Sequence, residues 1–250
     1  MASEQKRGRV YVYGRRDQTP STAVKINVTS RSKESWSQAF SPFHLGPVDV
    51  EPISGTHYQS KNVENAWQYS KVYRGQEDDV KYLKWAVPGF QKVKADRYPM
   101  GKGAKPLHSL VKSVKLPYVE ARFKLYAPIY ADAIEKYAAK EFAKLKKMVD
   151  QGQDVALFDF DGYDYIFNKM SLTDVMYNAK KKMGHAFVLA MMLMNDRVWE
   201  RDFDSTKITN RSAKVGKYSD ESAPKSSKRA KKSTDVREDV AEEDNDNDND

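Results

Sequence analysis

Hydrophobic and polar residues alternate in two short segments near the N-terminus, and this alternation is typical of β-strands. The first segment runs from Gly8 to Gly14 and the second from Ala23 to Ser30. A later apolar run, from Val155 to Asp161, is followed by turn residues and predicts a short buried strand. The pattern therefore predicts a few strands at the N-terminus and one strand late in the chain.

Helical periodicity dominates most of the remaining chain. Four segments show it: residues 60–73, the segment from Asp78 or Asp79 to Ala86, residues 116–152, and residues 171–199. Pro128 should kink or split the third helix, because proline lacks the N–H of an interior helix hydrogen bond. Ser171 and Asp174 have the spacing of a capping box at the start of the fourth helix. Residues 96–115, rich in proline, glycine and basic side chains, are predicted to form a loop.

The apolar pattern stops near Phe203. Residues 211–250 are rich in lysine and serine and then strongly acidic. Such a segment buries too little apolar area to offset the entropy lost on ordering. We therefore expect one α-rich α+β domain over residues 1–203 and a disordered tail over residues 204–250. Within this tail, Lys225 to Lys232 resembles a short basic localisation signal, but such clusters arise often by chance and a solvated tail of mixed charge is the favoured explanation.

The composition narrows the class of protein. The 250 residues carry a formal net charge of +8 and include no cysteine. Disulfide scaffolds, zinc–thiolate sites and cysteine nucleophiles are therefore excluded. No apolar run reaches the roughly 18 residues of a membrane span, and the N-terminus lacks the apolar core of a secretory signal. We expect an intracellular, cytoplasmic protein, or a nuclear one if the basic tail segment acts as a signal.

The basic balance favours anionic partners such as nucleotides, phosphates or nucleic acid, and no membrane is expected among the partners. The alternative is a solvated surface rich in lysine, because the lysines are spread along several predicted helices.

One helix carries a candidate site. Glu64, Gln68 and Lys71 share one stripe of the helix predicted over residues 60–73. Aromatic residues surround them in the sequence: Tyr58, Trp67, Tyr69 and Tyr73. A carboxylate beside aromatic faces suits a ligand with a ring and sugar hydroxyls. The alternative is a solvent-exposed helix surface, where such side-chain pairs contribute only tenths of a kcal/mol to stability.

The order of motifs resembles that of the NADAR superfamily, which is associated with NAD and ADP-ribose metabolism. The similarity covers roughly residues 36–200. It rests on Phe40-Ser-Pro-Phe43, Ser60, the segment Glu64 to Lys71, Val119 to Phe123, Phe158 to Asp161, and Met183 to Met192. Three departures indicate a divergent branch. The spacing from Ser60 to Glu64 is longer than in the family, Asn65 stands at the family's histidine, and Asp164-Tyr165 stands where Trp-Gly is usual.

This resemblance implies an N-glycosidase that hydrolyses a nucleotide-derived or ADP-ribosylated substrate, without cofactor or metal. It makes Glu64 the key carboxylate, acting as a base or as a stabiliser of positive charge, with Gln68 and Lys71 in support. The remaining candidates are Asp159 or Asp161 as a second acid, Lys71 and Arg122 as phosphate ligands, and Trp67 or Trp85 as a stacking ring.

Other interpretations remain open at this point. The departures at Asn65 and Asp164 favour a non-catalytic nucleotide or nucleic-acid binder that keeps the pocket, and an interaction protein that acts through its tail is a further alternative. Asp159-Phe-Asp161-Gly also resembles the first motif of haloacid-dehalogenase-type phosphatases, but it lies too near the end of the chain for their downstream motifs. We expect His185 to be a satisfied core histidine rather than a metal ligand.

Overall fold

A three-stranded parallel sheet organises the fold in this computed structural model, which describes residues 6–218. The strands are β1 (Val10–Tyr13), β2 (Val24–Asn27), β3 (Val48–Val50), β4 (Tyr58–Ser60), β5 (Lys71–Val72), β6 (His108–Val111), β7 (Val114–Leu116) and β8 (Val155–Phe158). The helices are α1 (Ser35–Gln38), α2 (Val63–Tyr69), α3 (Asp79–Phe90), α4 (Tyr118–Ala121), α5 (Ala127–Tyr137), α6 (Ala139–Asp150), α7 (Leu172–Tyr177) and α8 (His185–Leu193). A π-helical turn (Arg122–Tyr126) joins α4 to α5, and short 3₁₀ turns follow at Val198–Glu200 and Ser205–Lys207. The α+β class predicted from the sequence is confirmed.

The late strand β8 lies at the centre of the parallel sheet, with β1 on one side and β2 on the other. Its residues Val155, Ala156 and Leu157 are completely buried, as expected for a parallel strand covered on both faces. The three strands end level with one another, because Phe158 pairs with both Tyr13 and Asn27. Residues that follow these strands therefore meet at one edge of the sheet, which is where open parallel sheets usually bind ligands.

Helices α5 and α8 pack against each other, and α8 also packs against β1 and β8. All nine residues of α8 are buried, which explains its almost uniformly apolar sequence. Two small antiparallel sheets complete the described fold: β3 pairs with β4, and β6 lies between β5 and β7.

The helix predicted over residues 60–73 is shorter in the structure. Tyr58 to Ser60 form β4, and α2 begins only after Asn62, whose side chain accepts a hydrogen bond from the backbone N–H of Asn65. After α2 ends, Lys71 pairs with Ser109 in β5. Capping and strand pairing thus shorten the helix at both ends.

The loop predicted over residues 96–115 contains a hairpin that the sequence analysis missed. Strands β6 and β7 are joined by Lys112 and Ser113, which both have positive φ angles. Two such residues in a row suit a tight hairpin turn. Pairing of β6 with β5 then stabilises strands that show little alternation of their own.

The other helix boundaries also shift. Asp78 caps α3 as predicted, but the helix continues past Pro88 to Phe90. In the region 116–152, Pro128 lies in the first turn of α5 just after the π-helical turn, and the chain breaks again at Ala138. The capping box of Ser171 and Asp174 is confirmed. The helix predicted over 171–199 is divided, because α7 ends at Tyr177 and α8 begins at His185.

The expected domain boundary at residue 203 is too early. Thr209 forms a parallel bridge with Asn178, and the backbone N–H of Gly216 donates to Asp17 at 2.6 Å. The Tyr218 hydroxyl donates to Asp164. These hydrogen bonds hold residues 204–218 against the domain. The rest of the predicted tail, including Lys225 to Lys232, lies outside the described residues. Within residues 6–218, no helix has the length and apolar character to cross a membrane.

Candidate functional site

Glu64 begins a chain of hydrogen bonds along one side of α2. The Gln68 side-chain amide donates to Glu64 Oε1 at 2.8 Å, and Lys71 Nζ donates to Gln68 Oε1 at 2.6 Å. Glu64 and Gln68 are buried, with 7% and 8% of their surfaces exposed, whereas Lys71 is half-buried. The stripe seen in the sequence is therefore a desolvated carboxylate–amide–ammonium chain and not a wet surface.

Burial shifts both charged ends of this chain. Desolvation raises the pKa of Glu64, and the Gln68 hydrogen bond and the charges of Lys71, Arg97 and His185 oppose that rise only in part. Desolvation also lowers the pKa of Lys71 to about 8, against the opposing effect of the Glu64 charge. A carboxyl group with a raised pKa beside an amine with a lowered pKa is typical of sites where protons are transferred near neutral pH.

An aromatic wall adjoins the ammonium end of the chain. Lys71 Nζ lies 4.8 Å from the centre of the Trp67 ring. The ring centres of Tyr126 and Tyr118 lie 5.0 and 6.4 Å from that of Trp67. Tyr126 is buried, whereas Trp67 is half-buried and Tyr118 is exposed. The wall thus offers a partly accessible face on which a ring can stack.

Asp159 follows β8 directly, at the edge where the parallel strands end. Its Oδ2 lies 3.1 Å from His185 Nδ1, and the other ring nitrogen, Nε2, lies 2.8 Å from the Val28 carbonyl oxygen. The backbone N–H groups of Ala186 and Asp161 also donate to the Asp159 carboxylate, both at 3.1 Å. Because both partners of the imidazole are acceptors, the ring is satisfied when both of its nitrogens carry protons.

The pKa values support an ionised pair. Burial alone would raise the pKa of Asp159, but the His185 charge and the hydrogen bonds lower it to about 2. Burial would lower the pKa of His185, but Asp159 outweighs that effect and raises it. Asp159 therefore stays ionised at neutral pH, which corrects its assignment as a second acid. Its hydrogen-bonded oxygens also argue against the phosphatase alternative, because the first aspartate of that motif attacks phosphorus.

Gly184 allows the close approach of α8 to Asp159. Its φ angle is ordinary at −79°, but a Cβ atom placed there would lie 2.1 Å from Asp159 Oδ2. Real Cβ atoms do not approach other atoms so closely. The glycine is therefore required by space and not by backbone conformation.

Asp161, the other predicted acid, pairs with two cationic side chains. Arg97 Nη2 donates to its Oδ2 at 3.0 Å, and Lys182 Nζ lies 3.9 Å from its Oδ1. Its charge acts on Lys71, and that of Arg97 acts on Glu64. The structure thus brings Glu64, Lys71, Asp159 and Asp161 into one electrostatic cluster, which we call the carboxylate cluster.

Residues 14–186 match the sequence model of DUF6939, a family of unknown function. The chain belongs to this family. The matched segment contains all four residues of the carboxylate cluster and also His185. No curated protein matches the chain. The similarity to the NADAR superfamily stays a prediction beside this membership.

Arg122 has a different role in this DUF6939 domain from the predicted phosphate ligand. It is almost completely buried, and Nη1 donates to three backbone carbonyl oxygens at the end of α7, those of Val175, Met176 and Asn178. Nη2 donates to the Lys181 carbonyl oxygen at 2.5 Å. These bonds occupy both terminal nitrogens. Arg122 therefore fixes the segment that leads to Lys182 and His185, and it is a positioning residue.

Trp85, the second predicted stacking ring, lies in another aromatic group. Its ring centre is 4.9 Å from Tyr69, 5.8 Å from Tyr73 and 6.3 Å from Tyr82. Tyr69 lies on a different face of α2 from Gln68. Trp85 therefore packs against that other face of the helix, and Trp67 is the ring beside the carboxylate cluster.

Several residues of the site escaped the sequence analysis. They are Arg97, Tyr118, Tyr126 and Lys182, together with His185 as the partner of Asp159. The sequence contained one local signal for the Asp159–His185 contact, which is Gly184 immediately before the buried histidine. A glycine at the start of a helix can mark a place where another part of the chain approaches the backbone closely. Within the described part of the chain, no group of three His, Asp or Glu side chains is arranged to hold a metal ion.

Glu64 and Asp159 are the most buried members of the cluster, with 7% and 4% of their surfaces exposed. Two concavities of about 450 and 380 Å³ lie elsewhere, one lined by Arg7, Arg9 and Asp154 and the other by Glu51, His57 and Lys112 among others. Neither is lined by Glu64 or Asp159.

Proposed function

We propose that the protein is an N-glycosidase that hydrolyses the N-glycosidic bond of a nucleotide-derived or ADP-ribosylated substrate, with Glu64 as the key carboxylate. The observation that carries the proposal is the desolvated Glu64, joined through Gln68 to Lys71 beside Trp67. The resemblance of the motif order to the NADAR superfamily suggests this reaction in particular.

The chemistry suits these side chains. As the base departs, positive charge develops on the ribose ring, and a nearby ionised Glu64 stabilises it. Glu64 Oε1 is held by Gln68, so that Oε2 accepts the proton of the attacking water. The water oxygen bonds to C1′ while the bond from C1′ to the base nitrogen breaks, and the base leaves with that electron pair and takes a proton from solvent. Lys71 provides positive charge for a phosphate, and Trp67 provides a face for a ring.

The ion pair of Asp159 and His185 has a supporting role in this proposal. It supplies a buried negative charge and a buried positive charge to the site, and it ties the end of β8 to the start of α8. The His185 charge also acts on Glu64 and favours its ionised form. Glu64 therefore remains the single candidate base.

The test is hydrolysis of ADP-ribosylated DNA and of free nucleotides, followed by chromatography of the products. The Glu64→Gln variant keeps the shape and loses the charge, and we expect it to lower the rate by a factor of about 10² or more. Glu141→Gln, at a half-buried position on α6, is the matched control and should keep the wild-type rate. Wild-type protein without turnover, or equal turnover by Glu64→Gln, would reject the proposal.

A non-catalytic binder of nucleotides or nucleic acid is the second candidate. It is favoured by the Asp159 carboxylate, whose hydrogen bonds to His185, Ala186 and Asp161 leave the site without a second free acid. Calorimetry with ADP-ribose and with single-stranded DNA separates the two candidates. Binding without turnover supports the second one, and the absence of binding to either ligand at low salt rejects it.

A further inference from the structure

Residues 209–218, which we call the strap, are held to the rest of the domain through their backbone. The domain forms hydrogen bonds with both the N–H and the C=O of the same strap residues, which are Thr209, Arg211, Lys214 and Gly216. Most strap residues are exposed or half-buried, and among them only Gly216 is buried. The strap is therefore bound as a peptide is bound on a surface, and not as an element of the apolar core.

Two asparagine side chains hold the middle of the strap. Asn168 Nδ2 donates to the Lys214 carbonyl oxygen at 2.9 Å, and Asn168 Oδ1 accepts from the Lys214 N–H at 2.7 Å. Asn178 pairs with Arg211 in the same way, at 3.0 and 3.1 Å. A side-chain amide that bonds both backbone groups of one residue acts like the edge of a β-strand toward a bound peptide. Asn168 and Asn178 therefore form a groove that recognises a main chain.

The last strap residues add side-chain specificity. The Gly216 N–H donates to Asp17 Oδ1 at 2.6 Å, and a Cβ atom at 216 would lie only 3.1 Å from Asp164 Cβ. The Tyr218 hydroxyl donates to Asp164 Oδ2, and its ring packs edge-on against Tyr11. The groove thus fits a small residue followed two positions later by a tyrosine.

Occupancy of this groove acts on the candidate site through Asn178, which is completely buried. The next residue, Ala179, donates its backbone N–H to the Thr209 carbonyl oxygen at 2.8 Å. The irregular segment that begins here leads to Lys182 and His185, which pair with the two aspartates of the carboxylate cluster. Release of the strap removes hydrogen-bond partners from a buried amide side chain and from the Ala179 N–H, and this loss favours a rearrangement of the segment.

We propose that this groove binds the strap reversibly, as a peptide ligand built into the chain, and that its occupancy orders residues 178–185 at the carboxylate cluster. The hydrogen bonds of the strap to Asn168, Asn178 and Asp17 are exposed or partly buried. Segments with such bonds and little buried apolar area open locally at low cost in free energy. That release of the strap lowers turnover rests on the proposed function, whereas the groove and the ordering do not.

The experiment is hydrogen–deuterium exchange of the full-length protein, read by mass spectrometry. Lys214→Pro removes the N–H that donates to Asn168. Lys214→Ala is the matched control, since it removes the same exposed side chain and keeps the N–H. Exchange of α6 verifies that each variant is folded.

We expect Lys214→Pro to exchange at least about tenfold faster than wild type over residues 209–218 and at least about threefold faster over residues 178–185, with α6 unchanged. Lys214→Ala should behave like wild type. Faster exchange of the strap alone, a strap that stays protected in Lys214→Pro, or equal effects of the proline and alanine variants would overturn the inference.

A synthetic peptide of residues 207–218 tests the groove itself. Added to Lys214→Pro at about 1 mM, the effective concentration of a short tether, it should slow the exchange of residues 178–185. A peptide of the same composition in scrambled order should have no effect. The groove is rejected if neither peptide, or both peptides equally, slow this exchange.

The outcome is separate from that of the proposed function, because exchange is measured without substrate. Strap-dependent ordering of residues 178–185 without any Glu64-dependent turnover would reject the glycosidase and keep the groove. Glu64-dependent turnover together with unchanged exchange of residues 178–185 in Lys214→Pro would do the reverse.

Discussion

Asp159 Oδ2 and His185 Nδ1 lie 3.1 Å apart, and this contact joins the end of the central strand to the start of the most buried helix. The two residues are far apart in the sequence. Removing one partner would leave a buried charge unpaired, which typically costs about 3–5 kcal/mol. The pair is therefore important to the fold as well as to the candidate site.

The pair predicts a specific pH dependence of stability. The Asp159 pKa is lowered from 3.8 to about 2, so its contribution is present above pH 3.8 and is lost as the pH falls through about 2. The His185 pKa is raised above 6.5, so its contribution is complete below pH 6.5 and is lost as the pH rises through the folded value. The contribution of the pair should be greatest between pH 3.8 and 6.5.

Urea unfolding of wild type and His185→Gln across pH 4–9 measures this effect. The difference in free energy of unfolding should be largest near pH 5 and should decrease toward pH 9. His44→Gln, at an exposed position, is the control and should show no such trend. A difference that is the same at every pH would show that folding does not raise the His185 pKa.

Gly184→Ala should destabilise the protein, and the helix propensity of alanine does not offset this because residue 184 is the N-cap of α8. The added Cβ would lie 2.1 Å from Asp159 Oδ2, and relieving that clash should cost about 1–3 kcal/mol. A double-mutant cycle with Asp159→Ala identifies the cause. The alanine at 184 should be nearly harmless in the Asp159→Ala background, and an undiminished cost there would contradict the steric explanation.

Arg122→Lys should lower stability without any ligand present. Lysine cannot reproduce the hydrogen bonds from two guanidinium nitrogens to four carbonyl oxygens, and buried carbonyls left unpaired cost about 1–3 kcal/mol each. Thermal unfolding measures the effect, with Arg201→Lys at an exposed position as the control. If Arg122 instead bound a phosphate, Arg122→Lys would leave the stability of the free protein unchanged and would weaken the binding of nucleotides.

Lys71 should behave as an unusually acidic amine. Its pKa of about 8 results mainly from burial, and the Glu64 charge opposes that shift. Amine labelling as a function of pH, read by mass spectrometry, should show Lys71 titrating well below the ordinary lysine value of 10.5. In Glu64→Gln the Lys71 pKa should fall further. An unchanged or higher value in this variant would show that the two groups do not interact.

The elements that the sequence predicted well are those with a strong local pattern. β1, β2 and β8 alternate or are continuously apolar, and the capping box at Ser171 is satisfied within four residues. The hydrogen-bonded stripe from Glu64 to Lys71 likewise follows from helical spacing, although Lys71 itself lies in β5.

The parts that the sequence did not predict depend on distant contacts. Arg97 and Lys182 lie in irregular segments and reach the site only because the fold brings them to Asp161. The hairpin of β6 and β7 needs β5 as a neighbour. An arginine on a helix looks the same in sequence whether it binds phosphate or, like Arg122, a set of backbone carbonyls.

The most direct test of the central claim is the pH dependence of kcat/KM for hydrolysis of an ADP-ribosylated DNA oligonucleotide by wild type and Glu64→Gln. Because the Glu64 pKa is raised above 4.5, the wild-type rate should decrease on acidification with a midpoint above that value. In Glu64→Gln the rate should fall by a factor of about 10² or more, and the acid limb should disappear. Hydrolysis by Glu64→Gln at the wild-type rate, with the acid limb unchanged, would contradict the assignment of Glu64 as the key carboxylate.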